Sequence, residues 1–231
     1  MVILLATQFV EWWEGEVKRA AGYWTSCKKA WFMSKKRAFD SLRKSLQKRW
    51  EFYQKNIAKL EGMYSGVDSV KDVPSSWIAQ MSMEKERYRE KYHSRYLREV
   101  EQLCKLTRKR LFKLWKMYRK RSLRYFDSFF DNMEKRFKTA YPKNLAGFTA
   151  FGAVSLPGEE EFRLYLESMT SSLRSCEGMD EDLVRDFIKE ERRRGLDAIK
   201  SWRKNLISEI KRFWEFQLSD ITLQLDAIEM E

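Results

Sequence analysis

From Trp77 to Tyr141 the chain contains neither glycine nor proline. Proline removes a backbone donor and clashes with the preceding turn, and glycine loses the most freedom on ordering, so a stretch without either has nothing to stop a helix once it has begun. At 1.5 Å per residue that helix would run about 95 Å, far beyond an ordinary globular helix. The three prolines stand at 74, 142 and 157, and the first two bracket this stretch. With 43% hydrophobic and 15% aromatic residues the chain has ample material for a buried core, and the class is all-α.

The apolar period marks the arms. Phe39, Leu42, Leu46, Trp50, Tyr53, Ile57, Leu60 and Tyr64 advance by threes and fours, so an arm over about 8–64 is expected, with Gly15 and Gly22 weakening its start. Ser65 to Ser76 has a turn composition and ends in an N-cap candidate at Ser75 or Ser76, which opens an arm over 77–141. A third arm over 156–229 begins with Ser155, Pro157 and Glu159 to Glu161, which suit a cap, a rigid first turn and the positive end of the helix dipole. Gly178 and Asp180 mark a short break in it with a fresh N-cap, and Ile199, Trp202, Leu206, Ile210, Phe213, Ile221, Leu225 and Ile228 form its seam, which Gln217 interrupts. Three arms joined by two breaks fold most simply into an elongated antiparallel bundle of three long helices, a single helical domain over 1–231. The same seams would also support a homodimeric coiled coil with splayed arms.

Several chemistries lack their residues. Cysteines at 27, 104 and 176 are odd in number and widely spaced, so they imply free, packed thiols and neither a disulfide framework nor a zinc site. His93, the single histidine, forms Glu-x-x-His with Glu90, but a di-metal bundle needs a second copy of that motif. There is no Gly-rich phosphate loop and no nucleophile elbow, so no catalytic residue, metal or cofactor is expected. The opening run Met1 to Ala6 is too short for a signal-peptide core. The longest uncharged run, Asn144 to Gly158, falls short of the roughly 20 apolar residues of a spanning helix. Its segment Leu145 to Leu156 either caps the bundle or dips into a lipid interface as an apolar tip.

The charge is concentrated. Lys105 to Arg124 carries ten Lys and Arg and no Asp or Glu, against a net charge of +12 for the whole chain. Within it Lys105, Lys109, Lys113, Lys116, Lys120 and Arg124 follow steps of four and three, one stripe on a helix, with Leu111, Leu114, Trp115, Tyr118, Tyr125, Phe126 and Phe129 on the far side. Such a stripe is either a solvated face or the contact for something anionic. Solvated faces usually mix signs, as Met83 to Glu101 does on the same arm. Membrane and nucleic acid both fit the charge, but no helix-turn-helix or RNP element is present and a straight rod suits a planar surface, so nucleic acid ranks below lipid.

The aromatic order carries a resemblance. Trp31, Phe39, Leu42 and Trp50 are separated by eight, three and eight residues and lead into Trp50-x-x-Tyr53-x-x-Asn56-Ile57, and Trp77-Ile78 follows the next break. This resembles the tryptophan-rich antigen family of malaria parasites over about residues 10–130. Phe39 and Leu42 stand where that family has tryptophan, and Trp115 is the one tryptophan after Trp77 on an arm where the family tends to have several. The resemblance implies an all-helical, non-enzymatic domain, exported or at the parasite surface, that binds the host red-cell membrane. The sequence therefore leads to an expected membrane-binding domain whose lipid-binding residues are the six of the stripe and whose partner is anionic or sulfated lipid. The alternative is a structural subunit of a large assembly that contacts RNA or acidic protein.

Overall fold

A computed structural model of the chain describes residues 2–65, 74–140, 156–174 and 180–230. Four helices account for nearly all of them, α1 (Val2–Tyr64), α2 (Ser75–Ala140), α3 (Glu159–Arg174) and α4 (Glu181–Met230), and there is no strand among the described residues. The expected third arm is thus two helices, α3 ending at Arg174 and α4 beginning at Glu181; Gly178 lies outside the described residues.

Local chemistry sets the ends. Ser65 Oγ donates to the Gly62 carbonyl at 2.9 Å, satisfying an acceptor that the last turn of α1 leaves open. At the start of α2 the first acceptor is the Pro74 carbonyl, which receives the Trp77 N–H at 2.9 Å and the Ile78 N–H at 3.3 Å, so the cap lies one residue ahead of the expected serines. Proline suits that place because a helix needs no N–H there. α3 starts later than 156: Leu156 to Gly158 form a turn in which the Leu156 N–H donates to Glu159 Oε2 at 3.1 Å, as in a capping box. Gly158 has φ +75°, and a Cβ there would lie 3.1 Å from the Trp202 ring, so both conformation and space favour glycine. Asp180 caps α4 as expected, its Oδ1 accepting the Asp182 N–H at 2.9 Å.

The chain gathers into two compact units, Met1–Trp31 with Trp115–Gln217, and Phe32–Leu114 with Leu218–Glu231. In the first, Trp13, Trp31, Trp202 and Trp214 are fully buried together with Phe126, Phe130, Phe137 and Phe162. Tyr23 stacks on Tyr125 at 3.8 Å and Trp31 meets Tyr118 at 6.1 Å, so α1 and α2 run in opposite senses here. Edge-to-face pairs such as Trp24 with Phe213 and Phe130 with Trp202 add about 0.5–1.5 kcal/mol each beyond the area they bury.

The second unit is leaner. Its core includes Phe39, Leu42, Ile57, Leu60, Val100, Cys104, Leu111, Ile221 and Leu225. Arg49 pairs with Glu99 at 3.3 Å and Tyr53 lies 6.0 Å from His93, again opposing α1 to α2. Trp50, expected in the seam, is 43% exposed: its ring packs on Tyr53 and Tyr96, which are themselves half-buried. Cys27 and Cys104 are free and buried. Cys176 and most of the apolar segment 145–156 lie outside the described residues, while Leu156 itself is buried.

Candidate functional site

The site is built on α2, whose seam decides what faces outward. Leu111, Ser122 and Phe126 are fully buried, while Leu114, Trp115, Tyr118 and Tyr125 are half-buried. Ser122 tolerates the core because its hydroxyl accepts the Trp214 indole N–H at 2.8 Å and donates to the Arg119 carbonyl at 3.0 Å.

At about 100° per residue, Lys105, Lys109 and Lys113 fall within an arc of about 80° roughly opposite Leu111, and Lys116, Lys120 and Arg124 within an arc of about 80° roughly opposite Ser122. All six are exposed. Lys105, Lys109 and Lys113 belong to the second unit, Lys116, Lys120 and Arg124 to the first. Among the described residues none of the six forms an ion pair, and the same holds for the exposed Arg110 and Arg121. The other two cations of the run are engaged. Arg108 bonds Asp226 at 2.7 Å and Glu229 at 3.3 Å, and Arg119 lies over the Trp115 ring at 5.6 Å from its centre. On the same helix Arg89 pairs with Glu86 and Arg95 with Glu99, while Lys85, Arg87, Lys91 and Arg98 form no ion pair among the described residues; what sets the run apart is that it holds no carboxylate.

Beside the stripe lies a cavity of about 440 Å³ in the first unit, lined by Trp115, Lys116, Arg119, Lys120, Leu123 and Arg124, with Asp127 beyond them. The periodicity of α2 places Trp115 on the apolar side of the helix and singles out neither Arg119 nor Leu123. The signal was present, since Trp115 and Arg119 stand at i and i+4, where a guanidinium reaches a ring on the same helix.

His93 is exposed beside Tyr53, and Glu90 is exposed as well. Among the described residues no group of three or more His, Cys, Asp and Glu could hold a metal ion, and no helix is long and apolar enough to cross a membrane. Comparison with family models, with curated proteins and with solved structures finds no match to this chain.

Proposed function

We propose that this chain is a non-enzymatic helical domain that binds anionic membrane surfaces through the Lys105 to Arg124 face of α2. The observation that carries the reading is two sets of three exposed cations at helical steps, Lys105, Lys109 and Lys113 in one unit and Lys116, Lys120 and Arg124 in the other, none of them in an ion pair among the described residues. A lysine or arginine near an anionic leaflet gains about 1 kcal/mol, so six such side chains collect several without inserting any apolar residue. A face evolved merely for solubility gains nothing from excluding carboxylates, and like charges at i and i+4 weaken the helix that carries them.

The wider reading follows from the tryptophan order around Trp31 and Trp50. It makes the chain a divergent tryptophan-rich antigen, exported or at the parasite surface, with the host red-cell membrane as its target and its arms packed as an elongated antiparallel bundle. Vesicle sedimentation tests the binding. Neutral, anionic and sulfatide-containing vesicles are compared, with RNA as competitor. Retention on anionic vesicles in the presence of RNA supports the reading, whereas preference for RNA at the same salt favours a strut in a nucleoprotein assembly.

A further inference from the structure

We infer that the cavity beside the stripe is a binding site for a polyol ring carrying two phosphate monoesters, presented as a lipid headgroup. The inference rests on the membrane reading for the source of the ligand, and on the cavity itself for its chemistry.

Two ridges of one helix build the site. Trp115, Arg119 and Leu123 follow one another at four-residue steps and are half-buried, forming the floor; Lys116, Lys120 and Arg124, each one residue further on, are exposed and form the rail. The floor is fixed in place. The Trp115 indole N–H donates to the Trp214 carbonyl at 2.6 Å, so the ring is held in place and its donor is already used. Arg119 lies over that ring at 5.6 Å from its centre, and its buried Nε makes no hydrogen bond. Four cations therefore line one depression without an ion pair among the described residues. The carboxylate at its edge, Asp127, is already committed to Arg203 at 3.0 Å.

Charge and size narrow the ligand. A phosphate monoester carries about 1.5 to 2 negative charges near neutral pH, so two of them match four cations, whereas a singly charged headgroup leaves most of the site uncompensated. The volume of about 440 Å³ lies within the range of small-ligand sites. Trp115 and Leu123 offer an apolar surface for the face of a ring, while the guanidinium groups of Arg119 and Arg124 suit phosphate oxygens better than ammonium groups do. Arg119 distinguishes this site from the stripe, because it lies outside the stripe's arc.

The test uses the full chain and vesicles of phosphatidylcholine doped with either phosphatidylserine or phosphatidylinositol bisphosphate, matched for surface charge. Binding to the inositol lipid should be about tenfold tighter or more, the factor that one extra charge-assisted bond supplies. Soluble inositol bisphosphate should compete. Arg119→Gln, and separately the exposed pair Lys116→Gln with Lys120→Gln, should erase that preference, with helicity checked by circular dichroism. Lys105→Gln with Lys109→Gln removes the same charge outside the cavity and should weaken both vesicle types alike. Equal binding to both vesicles at matched charge overturns the cavity assignment and leaves the membrane reading standing. Binding of soluble inositol bisphosphate with no binding to any vesicle upholds the cavity and overturns the membrane reading.

Discussion

The indole N–H of Trp31 on α1 donates to Gln217 Oε1 on α4 across 2.9 Å, and both side chains are buried. The residue that interrupts the apolar seam of α4 is therefore the acceptor that a buried tryptophan requires. Replacing Gln217 with Leu leaves that N–H without an acceptor and should cost about 1–3 kcal/mol. Urea unfolding followed by circular dichroism should show a lower midpoint. Combining it with Trp31→Phe, which removes the donor, should lose less than the sum of the two single changes.

Gly195 lies inside α4, where Gly→Ala ordinarily stabilises a helix by about 1 kcal/mol. Here the sign should reverse. A Cβ at this position would sit 2.3 Å from Phe137 Cζ and 2.7 Å from the Tyr165 hydroxyl, and the Phe137 ring is fully buried. The Tyr165 hydroxyl is also held, donating to the Glu191 carbonyl at 2.5 Å. Overpacking of this kind costs about 1–3 kcal/mol, so Gly195→Ala should lower the melting temperature. A rise would show that the ring has room to move.

These two positions show what a sequence can and cannot reveal. The all-helical class, several helix ends and the exposure of the cations on α2 were legible because they depend on period and on local chemistry: absent helix breakers, capping residues, charges at steps of three and four. Asp180 as a cap is local in the same sense. Gln217 read as an interruption because its partner is 186 residues away. Gly195 gave no signal because its constraint comes from rings on α2 and α3, and Trp50 fits the period of a seam although little covers it. At the candidate site the charges were visible, but the cavity needed Trp115 fixed against α4, which no pattern along α2 specifies.

The thiols of Cys27 and Cys104 are pushed up from their ordinary range by burial, against the opposing pull of Arg121 and Arg108 respectively. Little thiolate forms and access is poor, so both should alkylate slowly near neutral pH. Peptide-resolved iodoacetamide labelling should show them protected in the native protein and fast-reacting in denaturant. Rapid native labelling of either would contradict its placement in the core.

Burial alone would raise the Asp220 carboxyl, but hydrogen bonds from Lys35 and Gln224 and the Lys35 charge outweigh it and hold the group below the usual carboxylate range. A group depressed in the folded state adds stability that is complete above its unfolded value, about 3.9, and is lost as pH falls through its folded value. Asp220→Asn should therefore be less stable than the parent at pH 6, and the gap should close below about pH 4. A gap independent of pH would mean that the charge of Asp220 is not what the fold uses.

Membrane binding by the basic face of α2 is tested most directly by co-sedimentation with anionic vesicles, comparing the parent with a variant in which Lys109, Lys113, Lys116 and Lys120 become Glu. These side chains are exposed, so the variant should keep its helicity. The parent should pellet with anionic but not neutral vesicles and release as salt rises, because exposed charges are screened within about 8 Å at physiological ionic strength. The variant should stay in the supernatant. If it still pellets with anionic vesicles as the parent does, the stripe is a solvated face and the account is wrong.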